Sequence, residues 1–294
     1  MKTNSMYSGS KKRRSHAGMI WYRFRKNKLS VVGLCILAVF AILAICAPLI
    51  VSYDNVVTQV AADKLQPPSS EHIFGTDPYG RDVFARIIWG ARTSLMVGIE
   101  TVLLSLLMGG TIGAIAGYFG GRVDDILMRF MDILLAIPSL VLALSLVAAL
   151  GTSLVNLMLA LAIARTPQFA RIVRASVMPL SSLEYVEAAL ACGTSTTRIL
   201  LKHIIPNAFG PIVVQTTMQI GNAILNISSL SFVGLGIQPP APEWGSMLSD
   251  VREYMRYDPY LVIAPGIAIV LTVFAFNRCL LYTSPSPRDL STSR

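Results

Sequence analysis

LSVVGLCILAVFAILAICAPLIV, residues 29–51, is a run of 23 residues without a single charge. A run of this length exceeds the ~20 residues that a helix needs to cross the hydrocarbon core of a bilayer, with some tilt. It reads as a first transmembrane helix. A basic stretch before an apolar one also resembles a secretory signal, but the run is longer than the usual apolar region of about 7 to 15 residues, and more spans follow. The segment ahead of it, residues 1–28, carries nine of the 25 Lys and Arg residues, among them Lys11, Lys12, Arg13, Arg14, Arg23, Arg25, Lys26 and Lys28. Positive charge beside the first span marks the cytoplasmic side.

Composition outside that run agrees. The 294 residues are 53% hydrophobic and only 14% charged, with a mean hydropathy of +0.59, whereas a soluble domain carries about 25% charged residues. A net charge of +9 could suggest nucleic acid, but the basic residues cluster ahead of the first span, where orientation in a membrane explains them. Cys35, Cys46, Cys192 and Cys279 show no C-x-x-C spacing, and His16, His72 and His203 lie far apart. Neither a disulfide framework nor a metal site is expected.

Residues 52–92 turn polar, with five acidic residues against four basic ones, and are expected to be extracytoplasmic. Within them Val83, Phe84, Ile87 and Ile88 fall at helical spacing and predict a short interfacial helix, with Trp89 at the headgroup level. A core of further spans should fill residues 93–276. The second span, 93–119, carries Gly109, Gly113 and Gly117 four apart, a face that lets another helix approach closely. Glu100 lies in the same span. A charge there costs about 2.5 to 3.5 kcal/mol on insertion scales, so it should face protein or water and is a candidate lining of a pathway.

A third run, 130–150, should kink at Pro138. A fourth, near 153–169, is interrupted by Arg165 and Pro167, and Arg165 is expected to snorkel from its end. A polar stretch, 171–207, follows. The fifth span, about 209–235, places Asn222 and Asn226 one turn apart, able to line a pore or to bond a neighbouring helix. The sixth is 259–276. The expected fold is all-α, with six transmembrane helices and both termini cytoplasmic. Inner segments before residue 277 then hold 16 basic residues and outer segments six, as positive-inside orientation requires. The tail, 277–294, shifts to Ser, Thr, Pro and Arg and reads as disordered.

The most informative segment is EYVEAALACGTSTTRILLKHIIPNAFGPIV. Glu187, Ala188 and Ala189 precede Gly193, and Pro206 and Asn207 stand thirteen and fourteen residues beyond that glycine. Two alanines let a short helix lie close against another subunit, and a glycine permits a bend that a Cβ would disfavour. The spacing resembles the E-A-A loop of ATP-binding-cassette (ABC) importer permeases, with His203 and Ile205 where the general pattern has Ile and Leu. GTDPYGRDVFARIIWGARTSL, SLSFVGLGIQPPAPEWGSML and YDPYLVIAPGIAIVLTVFAFN extend the likeness over most of residues 20–277. Together they are similar to the C-type permease of the dipeptide, oligopeptide and nickel importer family.

That resemblance implies a type I importer permease fold, in a bacterial or archaeal inner membrane. It implies a second homologous permease, two ATP-binding subunits and an extracytoplasmic binding protein as partners. Glu187, Ala188, Ala189, Gly193, Pro206 and Asn207 match the loop that couples the permease to the ATPases, with ATP and Mg used by those partners and no cofactor held by this chain. The sequence contains no G-x-x-x-x-G-K-[ST], and GYFGGR lacks the lysine that a phosphate-binding loop needs. Leu190 stands where relatives often have a basic residue. The tail departs more: RCLLYTSPSPRDLSTSR replaces a Gly-Asp-containing segment and an Asp-Pro-Arg ending, which fits an assembly or cloning artefact. A stand-alone secondary transporter or channel would call for a relay of intramembrane charges or broken helices in both halves, and only Glu100 qualifies. An intramembrane enzyme would need motifs such as H-E-x-x-H or G-x-S-x-G, which do not occur.

Overall fold

The computed structural model describes residues 27–280, and these fold into helices joined by loops. The helices are α1 (Lys28–Ile50), α2 (Tyr53–Val57), α3 (Val83–Phe119), α4 (Gly121–Leu135), α5 (Ser139–Leu150), α6 (Leu154–Ser181), α7 (Glu184–Ala191), α8 (Thr196–Ile199), α9 (Ile205–Phe232), α10 (Trp244–Val251) and α11 (Tyr260–Leu280). Most of the basic N-terminal segment and the tail beyond residue 280 lie outside the described residues. The last helix continues to Leu280, four residues past the expected end of span six.

α1 begins where the sequence places it, because Asn27 caps it by accepting a hydrogen bond from the Leu29 amide at 3.0 Å. It leans on α11, where Gly33 sits against the backbone of Ala275 and the Ser30 hydroxyl donates to the Arg278 carbonyl at 3.2 Å. The second span differs from expectation. There is no separate interfacial helix: α3 starts at Val83, capped by the Asp82 carboxylate on the Ala85 amide at 2.7 Å, and runs unbroken to Phe119. The apolar positions at 83, 84, 87 and 88 are its first turns. Trp89 is held against α1 and α2, its Nε1–H donating to the Val51 carbonyl at 3.0 Å and its ring edge-to-face with Tyr53.

The glycine stripe packs as its spacing predicts. A Cβ at Gly109, Gly113 or Gly117 would run into the backbone of Thr166, Ala170 or Arg174, so the three glycines hold α3 and α6 in contact along their length. α6 itself corrects the sequence reading. It runs 28 residues through both Pro167 and Pro179, taking up the first eleven residues of the stretch 171–207. Packed neighbours tolerate proline in such a helix. The third run, by contrast, is broken rather than kinked: α4 and α5 meet at 84° across residues 136–138, where Pro138 cannot continue a helix.

Three of the described helices are long and apolar enough to cross a membrane by length and composition, or four if the bent pair α4–α5 counts as one. α6 and α9, each 28 residues long, are ample in length, at about 42 Å by helical rise. Their composition is more polar: α6 carries Arg165, Gln168, Arg171 and Arg174, and α9 carries Gln215, Gln219, Asn222 and Asn226.

Candidate functional site

At the end of the bundle reached by Phe119 and Ser181, the chain turns into α7. Glu187 and Ala188 are exposed on this helix, Ala189 is half-buried, and Val186 alone is buried beneath them. α7 closes with the hydrogen bonds of a Schellman motif: the Thr194 amide donates to the Ala189 carbonyl at 3.0 Å and the Gly193 amide to Leu190 at 2.9 Å. Gly193 has a φ of +73° and nothing within 4 Å of where a Cβ would sit. The glycine is therefore required by backbone conformation, not by close contact. Leu190 is exposed beside it. Pro206 and Asn207 occupy the first turn of α9, past a π-helical turn, Leu200–Ile204; the Asn207 amide donates back to the His203 carbonyl at 2.6 Å. These six residues lie at one end of the molecule, and all but the half-buried Ala189 and the glycine are exposed side chains.

A second candidate site is an open groove between helices, in which Arg165 and Gln219 are buried and Gln168 and Asn222 are exposed. Between α6, α9 and the bend around Pro138 is a cavity of about 320 Å³, lined by Arg165, Gln168, Gln219, Asn222 and Asn226 among others. Arg165 does not snorkel. Its residue is 5% exposed, and its Nη1 donates to the Gln219 Oε1 at 2.9 Å, while the Asn222 amide donates to the same oxygen at 3.4 Å. The guanidinium is held inside because Gln219, 54 residues away, faces it. Asn222 and Asn226 line this cavity. Glu100 does not: it is half-exposed on the outward stripe of α3, in line with the exposed Met96, Leu103 and Leu107. Sequence reading missed Arg165, Gln168 and Gln219 as cavity residues, since polar side chains three or four residues apart on a helix carry no recognisable motif.

At the opposite end, buried charges are paired. Arg81 donates from Nε to Asp77 at 2.6 Å and from Nη2 to Asp250 at 2.7 Å. Arg86 stands 3.6 Å from Asp77 and 3.8 Å from Asp250. Next to them Glu243, fully buried, caps α10 by accepting from the Gly245 and Ser246 amides at 2.9 and 2.8 Å, and also from the Ser228 hydroxyl at 3.1 Å. Trp244, also fully buried, donates to the Ile87 carbonyl at 3.1 Å. This cluster ties the loop before α3 to α10 and its N-terminal cap.

Comparison with known proteins places this architecture. Residues 109–288 match the family described as binding-protein-dependent transport system inner membrane component, and residues 15–68 match the N-terminal transmembrane domain of oligopeptide transport permease C. A dipeptide transport system permease of Alkalihalophilus pseudofirmus is 48% identical over 87% of this chain and 84% of its own length. An oligopeptide transport system permease of Bacillus subtilis is 43% identical over 87% of this chain and 83% of its own. A glutathione transport system permease of Pectobacterium atrosepticum is 43% identical, over 87% and 85%. Among solved structures, a chain of the methionine ABC transporter in an inward-facing conformation superposes with a TM-score of 0.51 at 18% identity, covering 68% of this chain and 97% of that one. That likeness concerns the fold.

Proposed function

Because the chain belongs to the family of binding-protein-dependent transport system inner membrane components, we propose that it forms half of the translocation pathway of a peptide importer, paired with a second, homologous permease. The observation that carries this reading is 48% identity to a dipeptide permease over most of both chains. The chain is a multi-pass inner-membrane transport component. In the proposed arrangement it crosses the membrane six times with both termini in the cytoplasm, so that α7 faces the cytoplasm and the cap around Arg81 and Glu243 faces outward. Di- or oligopeptides are the proposed cargo, since the relatives above are named for them. None of those relatives is named for nickel, and nickel is not proposed.

The mechanism follows from where motion could enter. An exposed eight-residue helix ending in a fixed left-handed glycine is a rigid knob that a neighbouring subunit can grip. Two partner ATPases, which would bind and hydrolyse ATP with Mg, would push and pull on Glu187, Ala188 and Ala189. α8, the π-helical turn and Pro206–Asn207 connect that knob directly to α9, the helix that carries Gln219, Asn222 and Asn226. Displacement of α7 would thus reach the cavity through one continuous piece of chain. A binding protein would deliver the peptide at the opposite cap. Asn222 and Asn226 are the proposed pathway residues of this chain, and Glu100 joins them where the second permease closes over the outward stripe of α3.

Gly193→Arg tests the coupling role. The substitution adds a long side chain to a left-handed position on the exposed surface, so it should abolish peptide uptake and lower ATPase co-purification while the permease still reaches the membrane. Unchanged uptake together with unchanged co-purification would contradict the assignment.

A further inference from the structure

We propose that Arg165, with Gln219 and Asn222, is a station for a carboxylate within the pathway, and that its occupant is the C-terminal carboxylate of the peptide in transit. The inference rests on the peptide-import reading. Arg165 sits in the body of α6, about 16 Å from its start and about 24 Å from its end by helical rise, so it is remote from either surface. A guanidinium stays charged in a protein, and a charge at such depth requires either an anion or a functional reason for its absence. Among the described residues no carboxylate comes within ion-pair range of Arg165. Its one hydrogen bond goes to a neutral amide, and its Nε is buried without a partner.

The surroundings fit a carboxylate. Gln219 engages Nη1 and leaves the rest of the guanidinium without a partner among the described residues, and such a planar fork recognises carboxylates through two parallel hydrogen bonds. The cavity of about 320 Å³ before it can hold the end of a peptide, and Gln168, Asn222 and Asn226 around it supply amides that donate and accept. The terminal carboxylate is also the one anionic group common to peptides of every side-chain composition. A pathway that reads only this group can pass varied cargo.

The test is uptake into proteoliposomes holding the complete complex, with the binding protein saturated by either a peptide or its C-terminal amide. The ratio of the two uptake rates removes any preference of the binding protein, because that preference is the same for every permease variant. Arg165→Gln should lower the acid-to-amide ratio about tenfold or more, the size of one charge-assisted hydrogen bond. Gln219→Glu should lower it as well, by supplying Arg165 with a carboxylate of its own and filling the station; this variant keeps the test open should Arg165→Gln fail to assemble. An unchanged ratio in either assembled variant, including equal loss of both substrates, overturns the proposal. Absence of uptake of both ligands by the wild-type complex overturns the peptide-import reading, and the station with it.

Discussion

Two regions of this molecule bury arginine, and they do so differently. At the cap, Arg81 and Arg86 share Asp77 and Asp250, two cations facing two anions with both guanidinium groups almost wholly removed from water. In the cavity, Arg165 is nearly as buried and meets only amides. A neutralised cluster joining residues 169 positions apart holds a loop to a helix. A lone cation beside an open space is a poor structural element, because desolvation is unpaid by any partner. The contrast separates a charge kept for architecture from one kept for traffic.

The largest effect is expected at the cap. Asp250→Ala leaves two buried guanidinium groups with one carboxylate, and breaking a buried pair by removing one partner costs about 3–5 kcal/mol. Thermal unfolding of the purified permease complex should show a marked fall in midpoint. A shift no larger than that of an exposed substitution would mean that the cap is not the clamp its geometry suggests.

Glu243→Gln should be next in size. The carboxylate accepts from two amides at the start of α10 and from the Ser228 hydroxyl. A glutamine would turn an NH₂ group toward some of these donors, and loss of charged hydrogen bonds is worth about 1.5–3 kcal/mol. The midpoint should fall by less than for Asp250→Ala, and amide exchange should quicken in α10 before it does in α3. Uniform quickening across the bundle would show that Glu243 holds more than one helix end.

Much of this was legible in the chain itself, and the boundary between legible and hidden is physical. α1, the glycine stripe of α3 and the left-handed turn at Gly193 could be read because each depends on local periodicity or on one residue type. The pairing of Arg81 with Asp250 and of Arg165 with Gln219 could not, since those contacts span 169 and 54 residues and leave no periodic trace. Pro167 and Arg165 misled for a related reason. In water a proline would end a helix and an arginine would turn to the solvent, but here α6 runs on through Pro167, packed on α3, and α9 supplies the partner that keeps the arginine in. Pro138, with a residue pattern no more disruptive, does break its helix, and only the tertiary setting distinguishes the two.

The smallest stability effect is expected at Arg165, and it is the most discriminating. Arg165→Met replaces the cation by an unbranched apolar side chain that can fill much of the same space, and exchanging a buried charge for a well-packed apolar residue is often neutral or stabilising. Gln219 keeps the Asn222 amide as a donor to its oxygen, so no new carbonyl is stranded. The unfolding midpoint should stay level or rise, a change of at most about 1 kcal/mol, in the same melt that exposes Asp250→Ala. If Arg165→Met instead lowers the midpoint as far as the aspartate variant does, the cavity arginine holds the fold as the cap arginines do, and the distinction between the two regions fails. A level midpoint combined with lost selectivity for the free carboxylate leaves the cation one remaining role, contact with what passes through.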